Sequence, residues 1–169
     1  AGFIKNGLVN TYNLRKQLLD GTYKIDKYSV FTIHEPKKRE IVSTRMKDRV
    51  FQRSLSDNYL YDAITKSFIY DNHACQVGKG TSKARDRLAC HMQRYFRKNG
   101  MEGYVLKCDI SNYFGSTPHD VAKTATSSKI ESDWVKHHTD KIIESFNQGE
   151  IPDVGMGLGS QITQLTQLA

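Results

Sequence analysis

The stretch KCDISNYFGS, at residues 107–116, contains the residue types best suited to metal-assisted chemistry in this chain. An apolar run at residues 104–108 predicts a short buried strand that leads directly into Asp109. A carboxylate at the end of a strand in a basic chain is a natural ligand for Mg²⁺, which prefers oxygen donors. The peptide carbonyl of Ile110 could be a further oxygen ligand, and the ring of Phe114 could close one side of a pocket. The alternative is that Asp109 caps a turn and that the aromatic residues belong to the core.

Two glycine-rich segments could bring backbone close to phosphate groups. The segment GMGLG at residues 155–159 has the spacing GxGxG, which is not the dinucleotide-binding fingerprint. The segment GKGT at residues 78–81 is part of a phosphate-loop pattern, but His73 stands where the Walker pattern requires a glycine. Neither segment alone predicts a nucleotide site.

The charge of the chain is concentrated in its first part. The net charge is +7, and residues 1–103 contain 20 Lys or Arg against 10 Asp or Glu, a net charge of +10. Residues 104–169 contain 5 basic against 8 acidic residues, a net charge of −3. One basic group, at residues 37–39, precedes the glycine-rich segments, and a second follows GKGT and consists of Lys79, Lys83, Arg85 and Arg87. These groups predict contact with a polyanion such as nucleic acid, and a merely solvated basic surface is the alternative.

Several classes of protein are disfavoured by the sequence. A length of 169 residues is typical of one domain or slightly more. No apolar run approaches the roughly 18 residues of a membrane helix, and the first 25 residues lack the apolar centre of a signal peptide, so a cytoplasmic protein is expected. The three cysteines, Cys75, Cys90 and Cys108, have no CxxC spacing and predict free thiols rather than a zinc site or a disulfide framework. The patterns HxxxH, HExxH and GxSxG are absent.

The hydrophobic periodicity predicts a mixture of helices with a few strands. The elements expected in chain order are a helix capped by Asn10 or Thr11 and ended by Gly21, hairpin strands at 28–34 and 39–44, helices at 47–66 and 82–98, a strand at 104–108, a helix starting at Pro118 with a capping box to Asp120, a helix at 132–148 ended by Gly149, and a last helix after GMGLG. The break at residues 99–103 is the expected domain boundary.

The order of these segments resembles that of the reverse transcriptase family, from about Tyr28 to the last residue. EPKKREIVSTRMKDRVFQRSL resembles the first fingers block of the family, and FIYDNHACQVGKGTSKARDRL resembles the second block in the form typical of bacterial members. YVLKCDISNYF resembles motif A, and VGMGLGSQITQ resembles motif B. Four consecutive blocks with plausible spacings carry the resemblance.

The resemblance implies a role for individual residues. Asp109 would be the catalytic residue that binds the metal ion, with the carbonyl of Ile110 as a further ligand. Phe114 would screen the 2′ position of the nucleotide sugar. Lys38 and Arg39 on the hairpin would contact the incoming triphosphate.

Motif B adds two nucleotide-binding residues, Gly159 and Gln164, in the turn and helix that pack on the templating base pair. The segment is closer to the [ILV]GxxxSQ form of diversity-generating retroelement enzymes than to the QGxxxSP form of introns and retroviruses. Thr163 replaces one of the usual serines of that form, so retron and group II intron-like enzymes stay open as alternatives.

The fold implied is α+β, with helix-rich fingers and a β-hairpin at residues 1–103 and the start of a right-hand polymerase palm, incomplete, at residues 104–169. The function implied is RNA-templated DNA synthesis, with two Mg²⁺ ions (or Mn²⁺), dNTPs, an RNA template and a DNA primer, and without a membrane. The basic group at Lys79, Lys83, Arg85 and Arg87 would contact the nucleic acid.

Motif C, the Tyr-x-Asp-Asp hairpin with the second pair of metal-binding carboxylates, is absent from this sequence. Tyr61-Asp62 and Tyr70-Asp71 precede motif A and cannot replace it. We therefore expect these residues alone to be inactive as a polymerase, and an unpaired strand edge at residues 104–108 to favour self-association. The alternative is a non-catalytic RNA-binding or assembly module that retains only the fingers. An unrelated phosphate-binding enzyme would require a complete Walker or zinc motif.

Overall fold

The computed structural model describes residues 2–34, 36, 38–146, 152–157 and 161–168. This part of the chain is helix-rich and contains a two-stranded antiparallel sheet, which confirms the α+β class. The elements are α1 (Gly2–Lys5), α2 (Gly7–Leu19), β1 (Ser29–Ile33), β2 (Arg39–Ser43), α3 (Met46–Leu55), a π-helical segment (Ser56–Leu60), α4 (Tyr61–Thr65), α5 (Thr81–Asn99), α6 (Tyr113–Ser116), α7 (His119–Ser127), α8 (Asp133–Glu144) and α9 (Gln161–Leu168). Within the described residues, no helix combines the length and apolarity needed to cross a membrane.

The predicted hairpin is confirmed, and it is attached to the helical part at its base. Strands β1 and β2 pair antiparallel, from Ser29 opposite Ser43 to Ile33 opposite Arg39. Tyr28, just before β1, packs on Phe146 with ring centroids 5.2 Å apart, and its hydroxyl shares a hydrogen bond with Ser145 Oγ. The base of the hairpin is therefore anchored, whereas Val30 and Phe31 of β1 are 59% and 49% exposed.

The predicted helix at 47–66 is confirmed, but it contains a π-helical turn. Its buried apolar residues are Phe51, Leu55, Leu60 and Ile64, at successive spacings of four, five and four. A spacing of five would leave the buried face of a regular α-helix, whereas a π turn includes about one additional residue. The π-helical segment therefore keeps all four side chains in the core.

One core joins the two predicted domains. Its buried members are Leu14, Tyr23, Phe51, Leu55, Leu60, Ile64, Ile130, Val135, Ile142, Phe146, Ile162 and Leu165. The helices α2, α3, α4, α8 and α9 enclose these side chains. The proposed boundary at residues 99–103 coincides with the end of α5, and the division into fingers and palm stays a prediction.

The predicted buried strand at residues 104–108 is wrong. These residues have no regular structure, and Tyr104 and Leu106 are 105% and 87% exposed. An extended segment becomes a strand only when its backbone N–H and C=O groups pair with a neighbour. Within the described ranges, the sheet contains only β1 and β2, so residues 104–108 have no strand beside them.

The helix ends differ from the expectations in several places. The cap of α2 is Asn6 rather than Asn10 or Thr11, although Gly21, at φ +67°, follows the helix as expected. Pro118 precedes α7 instead of starting it. The predicted capping box is wrong as well, because the Asp120 carboxylate accepts a hydrogen bond from Val121 N.

The predicted start of α8 is confirmed, and its predicted stop falls on a residue that the structure does not describe. Ser132 caps α8, since its Oγ accepts from Val135 N at 3.5 Å. The helix ends at Glu144, and Gly149, its expected stop, lies outside the described residues.

Candidate nucleotide and nucleic-acid site

Asp109 lies in an exposed irregular segment that leads into α6. Its carboxylate makes no hydrogen bond or ion pair with another residue of the described ranges, and Ile110 is 65% exposed. Asn112 adopts the left-handed conformation, at φ +48°, and turns the chain into α6. A Cβ at Gly115 would lie 2.6 Å from Asn112 Oδ1, so glycine leaves room for this turn. This turn sets the position of Phe114 relative to Asp109, and it leaves the Asp109 carboxylate exposed to solvent.

The oxygen atoms near Asp109 decide how many Mg²⁺ ions this segment could hold. Within the described ranges, no group of three or more His, Cys, Asp or Glu side chains is arranged so that it could hold a metal ion. Asp109 and the Ile110 carbonyl offer two oxygen ligands, and Mg²⁺ in proteins is often held by one or two carboxylates together with substrate phosphates and water. Two ions about 3.5–4 Å apart would need further carboxylates. Two oxygen ligands are thus too few for two ions, and the binding of one ion at Asp109 stays a prediction.

The end of the segment that resembles motif A, with the residues after it, is paired with the beginning of the segment that resembles motif B. Met156 N donates to the carbonyl oxygen of Phe114 at 2.7 Å, and Gly155 N donates to that of Thr117 at 2.9 Å. An isolated antiparallel bridge joins Pro118 to Val154 next to the second hydrogen bond, and His119 N donates to the Asp153 carbonyl oxygen at 2.9 Å on the other side of the bridge. Parts of the two segments that resemble motifs A and B, about 40 residues apart in sequence, thus lie side by side, a pairing that the sequence did not predict.

Two glycines of GMGLG make this pairing possible. Gly155 has φ +100°, a conformation that strongly favours glycine, and its carbonyl accepts a hydrogen bond from buried His119 Nε2 at 2.8 Å. A Cβ at Gly157 would lie 2.4 Å from Cε1 of the buried Phe146 ring. These glycines therefore serve close backbone packing, and the described contacts give them no role as a phosphate loop.

Of the two residues predicted from the segment that resembles motif B, the structure describes Gln164 but not Gly159. Gly159 lies outside the described residues. Gln164 is half-buried on α9, and its Oε1 accepts a hydrogen bond from Cys75 Sγ at 3.2 Å. Burial also raises the pKa of the Cys75 thiol. The described contact of Gln164 is thus with the loop before GKGT, and its role in nucleotide binding stays a prediction.

The hairpin residues lie at the tip of β1 and β2. Lys38 is exposed and has no hydrogen bond or ion pair within the described ranges. Arg39 begins β2, and its backbone pairs with Ile33. Contact between these residues and a triphosphate stays a prediction.

Three of the four predicted nucleic-acid ligands, Lys79, Lys83 and Arg87, make hydrogen bonds inside the protein. Lys79 Nζ donates to the carbonyl oxygens of Tyr70 and Asn72 at 2.8 and 2.9 Å. The Arg87 guanidinium makes hydrogen bonds of 2.6 and 3.1 Å to the Asp71 carboxylate and lies 4.9 Å from the centroid of the Tyr70 ring. The Lys79 contacts close the loop at residues 70–80 on itself, and the Arg87 contact fastens this loop to α5.

The positive charge of Arg87 is partly compensated by the carboxylate of Asp71. Hydrogen bonds from Arg87 and then from His91 lower the pKa of Asp71 to about 2, so the carboxylate is charged at neutral pH. Lys83 Nζ donates to the Gly78 carbonyl oxygen at 3.3 Å. Arg85 is exposed and has no hydrogen bond or ion pair within the described ranges. The basic group is therefore less available to phosphates than its sequence indicates.

The second half of α5 contains three cations that the sequence reasoning missed. Arg94, Arg97 and Lys98 are exposed and make no hydrogen bond or ion pair with other residues of the described chain. Arg94 and Lys98 are four residues apart and therefore lie on the same side of the helix. This spacing is visible in the sequence, but the prediction was based on the GKGT pattern, which lies next to the first half of the helix.

The three cysteines are free thiols, as predicted. No protein-family model matches the chain, and a search of curated proteins gives no match.

Proposed function

We propose that the chain provides the nucleotide-binding fingers and part of the palm of an RNA-directed DNA polymerase of bacterial type. The observation that carries the proposal is the pairing of Phe114 with Met156, because it places the segments that resemble motifs A and B side by side. A polymerase site needs both segments at one nucleotide, one for the metal and sugar and the other for the base pair.

Asp109 is the metal-binding residue in this proposal, with the carbonyl of Ile110 as its neighbour. When bound, Mg²⁺ (or Mn²⁺) neutralises charge on the triphosphate and activates the attacking 3′-oxygen. The exposed carboxylate of Asp109 can reach such an ion without breaking an existing contact. Phe114, half-buried and held by its backbone, limits the space beside the sugar. Lys38 and Arg39 at the hairpin tip approach the triphosphate from the fingers.

In this proposal, these 169 residues alone do not catalyse DNA synthesis. One carboxylate and one carbonyl cannot hold two mutually repelling ions, and the sequence has no Tyr-x-Asp-Asp after motif A. Nucleotide binding through one ion and nucleic-acid binding are the partial activities expected of the chain. RNA template, DNA primer and dNTPs are the partners in the complete enzyme.

The test measures MgdATP binding by isothermal titration, with and without the metal. Asp109→Asn should lower the affinity in Mg²⁺ at least tenfold and leave the metal-free affinity unchanged, because only the charged carboxylate attracts the ion. Asp62→Asn on α4 removes the same charge at another exposed position and serves as the matched control. Equal affinities for the Asp109 variant and the control in Mg²⁺ would refute the assignment.

A second candidate function is RNA binding without catalysis, and the composition of α5 favours it. This helix carries six Lys or Arg against one Asp, and none of its residues is buried. Nucleic-acid binding that persists in a chain without metal-dependent nucleotide affinity would favour this candidate over the polymerase.

A further inference from the structure

Helix α5 presents two different surfaces along its length. Lys83, Arg87, Arg94 and Lys98 recur at spacings of four, seven and four and form a basic stripe. Ala84, Leu88, Met92 and Tyr95 recur at spacings of four, four and three and form an apolar stripe on a neighbouring side. The apolar side chains from Leu88 onward are about half exposed.

Only the second half of the basic stripe is available to a ligand. Arg87 is bound to Asp71, and Lys83 donates to the Gly78 carbonyl. Arg94 and Lys98 have no hydrogen bond or ion pair within the described ranges, and they are separated by a rise of about 6 Å along the helix. Arg97 adds a third such cation one residue away, so three positive charges lie within little more than one turn.

An aromatic ring lies beside these cations and is held in place. Tyr95 O–H donates to the Glu102 carbonyl oxygen at 3.0 Å, and a Cβ at Gly103 would lie 2.8 Å from the Tyr95 ring. The turn after α5 thus fixes one edge of the ring. The side chain is nevertheless 49% exposed. Arg94, Lys98 and Tyr95 line one shallow hollow of about 520 Å³ together with His91, Met92 and Asn99.

From this arrangement we infer that the second half of α5 binds single-stranded nucleic acid, with phosphates on Arg94, Arg97 and Lys98 and a base stacked on Tyr95. Cations beside an exposed, oriented aromatic ring are the two components of sequence-tolerant recognition of single strands. A membrane surface would use the cations and the apolar stripe but has no requirement for a ring fixed by a hydrogen bond. The inference rests on the proposed function for its polymerase context. It deepens that function because it assigns the contact with nucleic acid to residues beyond the GKGT group.

The first arm of the test changes the charge. Binding of a fluorescent 12-nucleotide oligouridylate is measured by anisotropy at several salt concentrations. The triple variant Arg94→Gln, Arg97→Gln and Lys98→Gln should bind at least tenfold more weakly at low salt, and the slope of log K against log salt should decrease by about 2, since each phosphate contact with a single strand contributes about 0.7. The matched control replaces Lys5, Arg15 and Lys16 by Gln, exposed cations on α1 and α2.

The second arm changes the ring. Tyr95→Leu should weaken oligouridylate binding roughly 5- to 150-fold, the range expected for loss of one stacked base. Tyr95→Phe also removes the hydroxyl but keeps the ring, and its affinity for oligouridylate should stay within about threefold of that of the parent chain. Circular dichroism checks that α5 is still helical in each variant, which is expected because glutamine and leucine are good helix formers.

Three results would overturn the inference: equal slopes for the two triple variants, unchanged binding by Tyr95→Leu, or loss of binding to phosphatidylserine vesicles in the α5 triple variant with RNA affinity intact. The proposed function fails separately. Asp109→Asn should leave oligouridylate binding unchanged, and the α5 triple variant should leave MgdATP binding unchanged. An ineffective Asp109→Asn in the nucleotide assay therefore refutes the metal assignment without touching the α5 contact.

Discussion

Replacing Gly157 by alanine tests the packing that holds together the two segments that resemble motifs A and B. A Cβ at this position would lie 2.4 Å from Cε1 and 2.7 Å from Cδ1 of Phe146, where ordinary contacts begin at 3.4 Å. The ring or the backbone must therefore retreat by about 1 Å. Phe146 is 1% exposed and has little space for such a movement.

The expected cost follows from two effects. Overpacking of a core costs about 1–3 kcal/mol. A retreat of the backbone also weakens the hydrogen bond from Met156 N to Phe114 O, worth about 1 kcal/mol. Together they predict a decrease of about 2–4 kcal/mol in the free energy of unfolding, which corresponds to about 5–15 °C in Tm for a chain of this size.

Urea denaturation followed by circular dichroism measures the effect, and two further variants identify its cause. In the Phe146→Leu background, Gly157→Ala should cost at least about 1 kcal/mol less, because the ring that it meets is gone. Gly7→Ala, where a Cβ meets nothing within 4 Å, should be neutral or stabilise α2 by less than about 1 kcal/mol. A Gly157→Ala chain as stable as the parent, or a cost independent of residue 146, would contradict the packing described above.

Two more predictions concern a buried histidine and the sugar pocket. Burial and the neighbouring charges of His137 and Lys141 lower the pKa of His138 to about 4, so stability is present above the unfolded pKa of about 6.5 and decreases as the pH falls toward 4. His138→Phe should remove about 2–3 kcal/mol of the stability lost between pH 7 and pH 4.5, and urea unfolding curves that show the same loss in both proteins would contradict this. Phe114→Val should raise the affinity for MgATP relative to MgdATP about tenfold, or about 1.4 kcal/mol, since a smaller side chain leaves room for the 2′-hydroxyl. An unchanged ratio of the two dissociation constants in a folded variant would exclude Phe114 as the residue that screens the sugar.

Local patterns in the sequence were sufficient where an element depends on its own residues. The boundaries of α5 follow from a glycine at each end, and the hairpin follows from two β-rich runs joined by a short turn. Ser132 caps α8, as its residue type and position indicate. Such features require no knowledge of distant parts of the chain.

Features that depend on distant contacts were not predictable. The apolar run at 104–108 is typical of a strand, but strand formation depends on a partner that local sequence cannot reveal. The contacts of Lys79 and Arg87 with the loop at residues 70–80 depend on how that loop folds on itself and against α5. Buried Asp48 is another case, because only the structure shows that it accepts a hydrogen bond of 2.6 Å from Tyr23 O–H.

The π-helical segment at residues 56–60 has a consequence for tolerance to deletions. Removing one residue from a regular helix rotates everything after it by about 100° and normally turns the buried face outward. Here, deletion of the exposed Asn58 would convert the five-residue step from Leu55 to Leu60 into the ordinary helical step of four. Ile64 would then keep its orientation toward the core. This helix can therefore lose a residue at its centre without losing its buried face, and one-residue length variation at this point is compatible with the same core.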